Sequence, residues 1–272
     1  MNFVSRGVAL LALFGATSSA LAQSTITFQY IVPNNGVWPP TTFSPAGGWN
    51  TVNSGNIGIT TPGLQIPGIE QAYNIANVPL NWRQGLQQVV ISVDGYARVA
   101  YIVDNGDSVN GGDVTTTLTG TLTVKQPTIT APGPSFPSGS PTILTVVSTD
   151  SQTQNVTAST EGGPDPQEPD FVGSDTASGL LVAQNNQTGT YTSGATFSAF
   201  NSSGLVYLPI QFVGNANATG SGNYSIDGAT FGAARVTITY TYLPESEWTW
   251  AGLPLVLGAW VVRRRMIRST AA

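Results

Sequence analysis

A two-residue alternation of apolar and polar side chains runs through most of this chain and restricts what it can fold into. Successive side chains of a β-strand point to opposite faces of a sheet, so this period suits strands that bury one face. Outside the two ends, no stretch keeps a helical period for three turns. The predicted strands are Thr25–Val32, Gln88–Val93, Ala97–Val103, Val114–Val124, Thr142–Ser148, Gln154–Ser159, Gly204–Phe212 and Ala234–Tyr242.

Glycine, proline, asparagine and aspartate separate these short runs, as they do in antiparallel folds. We therefore expect an all-β body built as an antiparallel β-sandwich. Its last strand has the clearest pattern. We expect Val236, Ile238, Tyr240 and Tyr242 to face the core, while the threonines between them face solvent or a sheet neighbour.

Two proline-rich stretches interrupt the body, Pro127–Pro141 (PTITAPGPSFPSGSP) and Gly162–Pro169 (GGPDPQEP). Proline cannot donate to a strand ladder, so each stretch is either a long loop or a linker between subdomains. The sequence predicts one body over residues 23–243 and leaves open a subdivision near 127–141.

The first 22 residues have the order of a secretory signal peptide. Arg6 precedes the apolar run Gly7–Ala16, and Ala20 and Ala22 form a small-x-small cleavage site. The alternative is a retained anchor helix, but an apolar run of about ten residues is short of the roughly 20 that span a bilayer. We expect a signal helix that is removed, leaving Gln23 as the first residue.

Residues 244–272 form a hydrophobic tail that ends in positive charge. Trp248–Val262 is predominantly apolar, and Arg263, Arg264 and Arg265 follow it at once. Arginines on the cytoplasmic side of an apolar helix stop transfer across the inner membrane. Fifteen helical residues reach only about 22 Å, so we expect this helix to span the membrane transiently. A buried core helix is the alternative.

Pro244-Glu245, placed before the apolar stretch and the arginines, resembles the PEP-CTERM sorting tail of Gram-negative bacteria. The resemblance implies an exosortase-like processing enzyme as a partner. The family's second proline is replaced by Ser246, which indicates a variant of the tail. The segment also resembles the Gram-positive sortase signal, but Glu247 stands where that signal has glycine.

The region before the tail resembles the choice-of-anchor E domain of bacterial proteins with sorting tails. The similarity is carried by Asp170–Gly179 (DFVGSDTASG), Phe200–Pro209 (FNSSGLVYLP), Gly220–Asn223 and Ala234–Tyr242. Gln84–Asn105 resembles the first half of the same family more loosely. The resemblance implies a β fold and a location at the cell surface, and it assigns no molecular activity to the chain.

Composition narrows the possible functions. The chain contains no histidine and no cysteine, which removes the usual acid/base residue near neutral pH, thiolate nucleophiles and zinc-thiolate sites. We therefore predict that it is not an enzyme. The body holds only four basic residues among a larger number of acidic ones, so it lacks the basic face that nucleic-acid binding requires.

One acidic cluster is a candidate metal site. Asp104, Asp107 and Asp113 lie with asparagines and glycines between two predicted strands. Calcium prefers hard oxygen ligands of this kind, and extracellular calcium sites can be weak. The alternative is a polar hairpin connection, in which Asp and Asn adopt turn conformations. Calcium is the only cofactor that the sequence suggests.

Aromatic residues mark a second candidate site. Trp38, Trp49 and Trp82 fall in a proline-rich N-terminal third, and aromatic faces on loops can stack on sugar rings. Packing of these rings under long loops is the alternative.

These observations predict an exported protein of the cell surface or extracellular matrix with a structural or adhesive role. The alternative function is a secreted carbohydrate-binding protein with extracellular polysaccharide as its partner.

Overall fold

The computed structural model describes residues 23–32, 38–39, 57–79, 85–107, 109–133, 137, 139–159, 171 and 173–243, with only the backbone of 57–62. These residues form eight strands and two short helices. The strands are β1 (Ser24–Val32), β2 (Ile57–Pro67), β3 (Leu86–Asn105), β4 (Gly112–Lys125), β5 (Thr142–Val156), β6 (Thr176–Tyr191), β7 (Leu205–Gly220) and β8 (Tyr224–Tyr242). The helices are α1 (Ile69–Ile75) and α2 (Gly194–Phe200).

The strands form two four-stranded antiparallel sheets, which confirms the all-β prediction. Sheet A has the order β1-β8-β3-β6, and sheet B has the order β2-β7-β4-β5. Each sheet therefore takes strands from before and after the proline-rich stretch 127–141. That stretch connects β4 to β5, and its Thr128 pairs with Tyr207 of β7.

The inner faces of the two sheets share one hydrophobic core. The sheets approach closely where β4 lies against β3, because a Cβ on Gly120 would lie 2.5 Å from the Cβ of Ala97. Two hydrogen bonds between buried residues join the sheets. The Tyr240 hydroxyl of β8 donates to the Pro67 carbonyl of β2 at 2.5 Å, and the Ser148 hydroxyl of β5 donates to the Gly95 carbonyl of β3 at 3.5 Å.

The predicted faces of the last strand are confirmed for the apolar residues. Val236, Ile238 and Tyr240 are fully buried and Tyr242 is nearly so. Thr237 and Thr239 are half-buried on the opposite face, as expected. Thr241 is different: it is buried on the outer face.

Several predicted boundaries are wrong because a polar or glycine residue does not end a strand here. Gln88–Val93 and Ala97–Val103 are parts of one strand, β3, which continues through Gly95. A side chain at Gly95 would press on Val146 of β5, with its Cβ 3.1 Å from Cγ1, so the glycine serves close packing and not a turn. Thr142–Ser148 and the start of Gln154–Ser159 likewise form one strand, β5.

The signal segment with Ala20 and Ala22 and the tail with Pro244, Glu245, Arg263, Arg264 and Arg265 lie outside the described residues. Within the described parts of the chain, no helix has both the length and the apolar character needed to cross a membrane.

Candidate functional site

A polar groove crosses the outer face of sheet A. Arg235 of β8, Asp94 of β3 and Asn186 of β6 are register partners, since Asp94 pairs with both of the others. The alternating burial of β3 and β8 turns Asp94 and Arg235 away from the core. The sheet therefore brings three polar side chains from distant parts of the chain into one row.

Arg235 and Asp94 form an ion pair in this row. Arg235 Nε donates to Asp94 Oδ2 at 2.7 Å, and the side chains are 35% and 26% exposed. A pair so accessible to water contributes little to stability. Its effect is to orient both planar groups, and the other nitrogens of the guanidinium are not engaged by Asp94.

Trp38 forms one wall of the groove. The Arg235 Cζ lies 5.3 Å from the centroid of the indole ring, within the range of a cation–π contact. Tyr96 packs against the same ring edge-to-face, with centroids 6.2 Å apart. Tyr96 is buried although it belongs to the outer face, and this burial raises the pKa of its phenol, an effect that Arg98 partly opposes. Trp38 is thus fixed on the sheet by two contacts.

The cavity enclosed by these residues has a volume of about 230 Å³, and Gly95, Gln184 and Asn185 complete its lining. The Asn185 amide donates to the Val147 carbonyl of β5 at 2.6 Å, which ties this side of the groove to sheet B. The site offers amides, one carboxylate, one guanidinium and one large ring. Such a set suits a ligand rich in hydroxyl groups.

Among the three tryptophans of the carbohydrate prediction, Trp38 lies in this groove. Trp49 and Trp82 lie outside the described residues. The sequence pattern alone does not point to Asp94, Asn186 or Arg235 as site residues. Their one signal was Arg235, a single basic residue inside a strongly β-forming run, and its partners could be found only from the strand register.

The three aspartates of the calcium prediction lie around the connection between β3 and β4. Asp104 is buried near the end of β3, Asp107 lies in the connection and Asp113 is exposed on β4. Within the described residues, no group of three His, Cys, Asp or Glu side chains converges closely enough to hold a metal ion.

Hydrogen bonds already use the carboxylates of Asp107, within the connection, and of Asp113, across the β4–β5 pair. Asp107 accepts from the amide side chain of Asn110 at 3.0 Å and from the backbone N–H groups of Val109 and Asn110. These bonds, that of the Asn110 side chain first, lower the pKa of Asp107. Asp113 accepts from the Asn155 amide at 3.0 Å. This pattern is typical of a polar turn, and calcium binding stays a prediction.

A larger cavity of about 640 Å³ lies between residues 127–137 and α2. Prolines, alanines and Ile129 make up most of its described lining, which includes no charged side chain. It therefore offers few polar groups that could orient a ligand.

No protein-family model matches the sequence, and no curated protein matches it. Solved structures of infectious bursal disease virus show a distant similarity. The Gx strain structure is 9% identical over 83% of this chain and 37% of that chain, with a TM-score of 0.18. The Gt strain structure is 11% identical over 83% of this chain and 37% of that chain, with a TM-score of 0.20. The VP2 subviral particle is 11% identical over 82% of this chain and 37% of that chain, with a TM-score of 0.17. This chain spans little over a third of their length, and TM-scores this low carry no argument.

Proposed function

We propose that this chain is an exported protein of the cell surface or extracellular matrix of a Gram-negative bacterium, with a structural or adhesive role. Its body consists of two antiparallel sheets that share one hydrophobic core. A signal peptide directs the chain across the inner membrane. The PEP-CTERM-like tail holds it there transiently until an exosortase-like enzyme cuts the tail.

The tail is the observation that carries this proposal. Pro244 and Glu245 come directly after the last strand, and the apolar segment and Arg263, Arg264 and Arg265 follow them. Because β8 ends at Tyr242, only a short segment separates the folded body from the tail. A processing enzyme at the membrane would meet its recognition site at the base of the body.

Intact-mass analysis of the protein extracted from the surface of the native bacterium tests this proposal. We expect a chain that begins near Gln23 and ends near Pro244. A variant with Arg263, Arg264 and Arg265 replaced by asparagine is the matched control, because it keeps the recognition residues and loses the stop-transfer charge. Recovery of a wild-type chain that retains residues 263–272 would contradict processing and leave a permanent anchor.

Carbohydrate binding is the second candidate function, and the groove beside Trp38 favours it. The purified body, residues 23–243, would bind polysaccharide and lose that binding when Trp38, Trp49 and Trp82 become alanine. Unchanged binding in the triple variant would contradict a role for these rings.

A further inference from the structure

We infer that the groove on sheet A binds a single uncharged sugar unit of a polysaccharide through Asp94, Asn186 and Arg235, with Trp38 as its wall. This inference rests on the carbohydrate-binding candidate above. The register places the three polar groups on adjacent strands, which are about 4.8 Å apart. The row is therefore about 10 Å long.

The chemistry of the row matches neighbouring hydroxyl groups. A sugar hydroxyl donates one hydrogen bond and accepts others, so it needs acceptors and donors side by side. The Asp94 carboxylate accepts, the Arg235 guanidinium donates, and the Asn186 amide does both. The 2.7 Å ion pair holds the first two groups in fixed relative positions before any ligand arrives, which reduces the entropy lost on binding.

Trp38 adds apolar surface next to this polar row. A pyranose ring has polar hydroxyls around its rim and C–H groups on its faces, so a site for it combines both kinds of contact. The contacts of Trp38 with Arg235 and Tyr96 hold the indole beside the row. The volume of about 230 Å³ is below the 300–1,000 Å³ typical of drug-sized ligand pockets, which indicates one sugar unit and not a long segment.

Charge indicates that the sugar is neutral. Asp94 and Arg235 cancel one another, and the other polar side chains of the lining, Gln184, Asn185 and Asn186, are uncharged amides. The whole chain has a net charge of −5, which disfavours an approaching polyanion. Binding of a neutral sugar should change little with salt, whereas binding of a uronate polymer would weaken as salt screens the charges.

Affinity electrophoresis of the purified body tests the inference. The gels contain one of four neutral polymers, namely dextran, mannan, galactan or xyloglucan, or one of two uronate polymers, alginate or polygalacturonate. We expect retardation by at least one neutral polymer at low and high salt. Asn186→Ala and Arg235→Lys should each weaken it about tenfold. Arg235→Lys keeps the positive charge beside Asp94 but loses the planar fork. Asn217→Ala, an exposed asparagine of β7 in sheet B, is the matched control.

Each contrary result has a separate meaning, provided that melting curves show that the variants fold. If Asn186→Ala and Arg235→Lys keep full affinity while Trp49→Ala or Trp82→Ala loses it, the groove is not the binding site. The chain would then still be a carbohydrate-binding protein. If only the uronate polymers retard the protein, and salt removes the retardation, the proposal that the sugar is uncharged is wrong. No retardation in any gel would overturn both the inference and the carbohydrate candidate. The exported surface role would then still depend on the intact-mass result alone.

Discussion

Replacing Tyr240 with phenylalanine removes one oxygen atom from the centre of the body. The Tyr240 side chain is fully buried, and its hydroxyl donates to the carbonyl of Pro67 at the end of β2. The rings of Phe28 and Phe200 meet it edge-to-face at 6.2 and 5.9 Å. Because phenylalanine keeps the ring and these contacts, the change isolates the hydrogen bond from Tyr240 of β8 to Pro67 of β2.

The expected decrease in the free energy of unfolding follows from the Pro67 carbonyl, which loses its hydrogen-bond donor. Pro67 is buried, so its oxygen cannot exchange the lost donor for bulk water. An unsatisfied buried acceptor costs about 1–3 kcal/mol. In a domain of this size each kcal/mol lowers the melting temperature by about 2–4 °C, so we expect a decrease of about 2–12 °C.

Urea unfolding of residues 23–243, followed by tryptophan fluorescence and by circular dichroism, measures this free energy. The midpoint should fall while the slope stays constant, because the surface exposed on unfolding is unchanged. Tyr207→Phe is the matched control, since no hydrogen bond of its side-chain hydroxyl is found among the described residues. If both variants unfold at the same urea concentration as the wild type, the Tyr240–Pro67 hydrogen bond contributes nothing to stability and the reasoning is wrong.

Three further predictions concern the core, alkaline pH and calcium. Ile238→Asp should unfold the body, because a buried unpaired carboxylate costs several kcal/mol. Thr239→Asp, on the half-buried outer face, should be tolerated. Equal melting temperatures for both variants and the wild type would contradict the assigned faces. Burial raises the pKa of the Tyr240 phenol far above its usual value. The stability contributed by the neutral phenol should therefore be complete below about pH 10 and decline at higher pH. Urea unfolding at a series of pH values should show a smaller decline in Tyr240→Phe than in the wild type. The calcium hypothesis predicts that millimolar calcium raises the melting temperature of the wild type and not of Asp107→Asn, and coincident melts with calcium and with chelator would exclude it.

Strands with one clean apolar face have the sequence pattern that is easiest to recognise. β8 and β4 alternate regularly and bury one face, so their pattern is readable without a structure. β6 was not predicted as a strand, because its middle, Gln184–Thr188, is polar and exposed. β6 lies at the edge of sheet A and is held there by its antiparallel pairing with β3. Its polar middle has no alternating apolar face that would reveal the strand in the sequence.

The candidate site was predictable only in part. An aromatic residue in a proline-rich segment suggested a sugar contact at Trp38, and Trp38 does line the groove. The row of Asp94, Asn186 and Arg235 joins three strands that are far apart in sequence. Such a row depends on the register of long-range pairs, and a one-residue slip would turn these side chains into the core. Local sequence patterns do not fix that register.

The position of β8 has a mechanical consequence. Tension applied to the chain beyond Leu243 enters the body along β8, the strand that also carries Arg235 to the groove. From Ala234 to Tyr242, β8 is paired with β1 on one side and with β3 on the other. The bonds of antiparallel ladders run perpendicular to the strands, so a pull along β8 shears both ladders at once and does not peel them one bond at a time. A body held at its C-terminal end and loaded at the groove would thus transmit the force through one doubly paired strand.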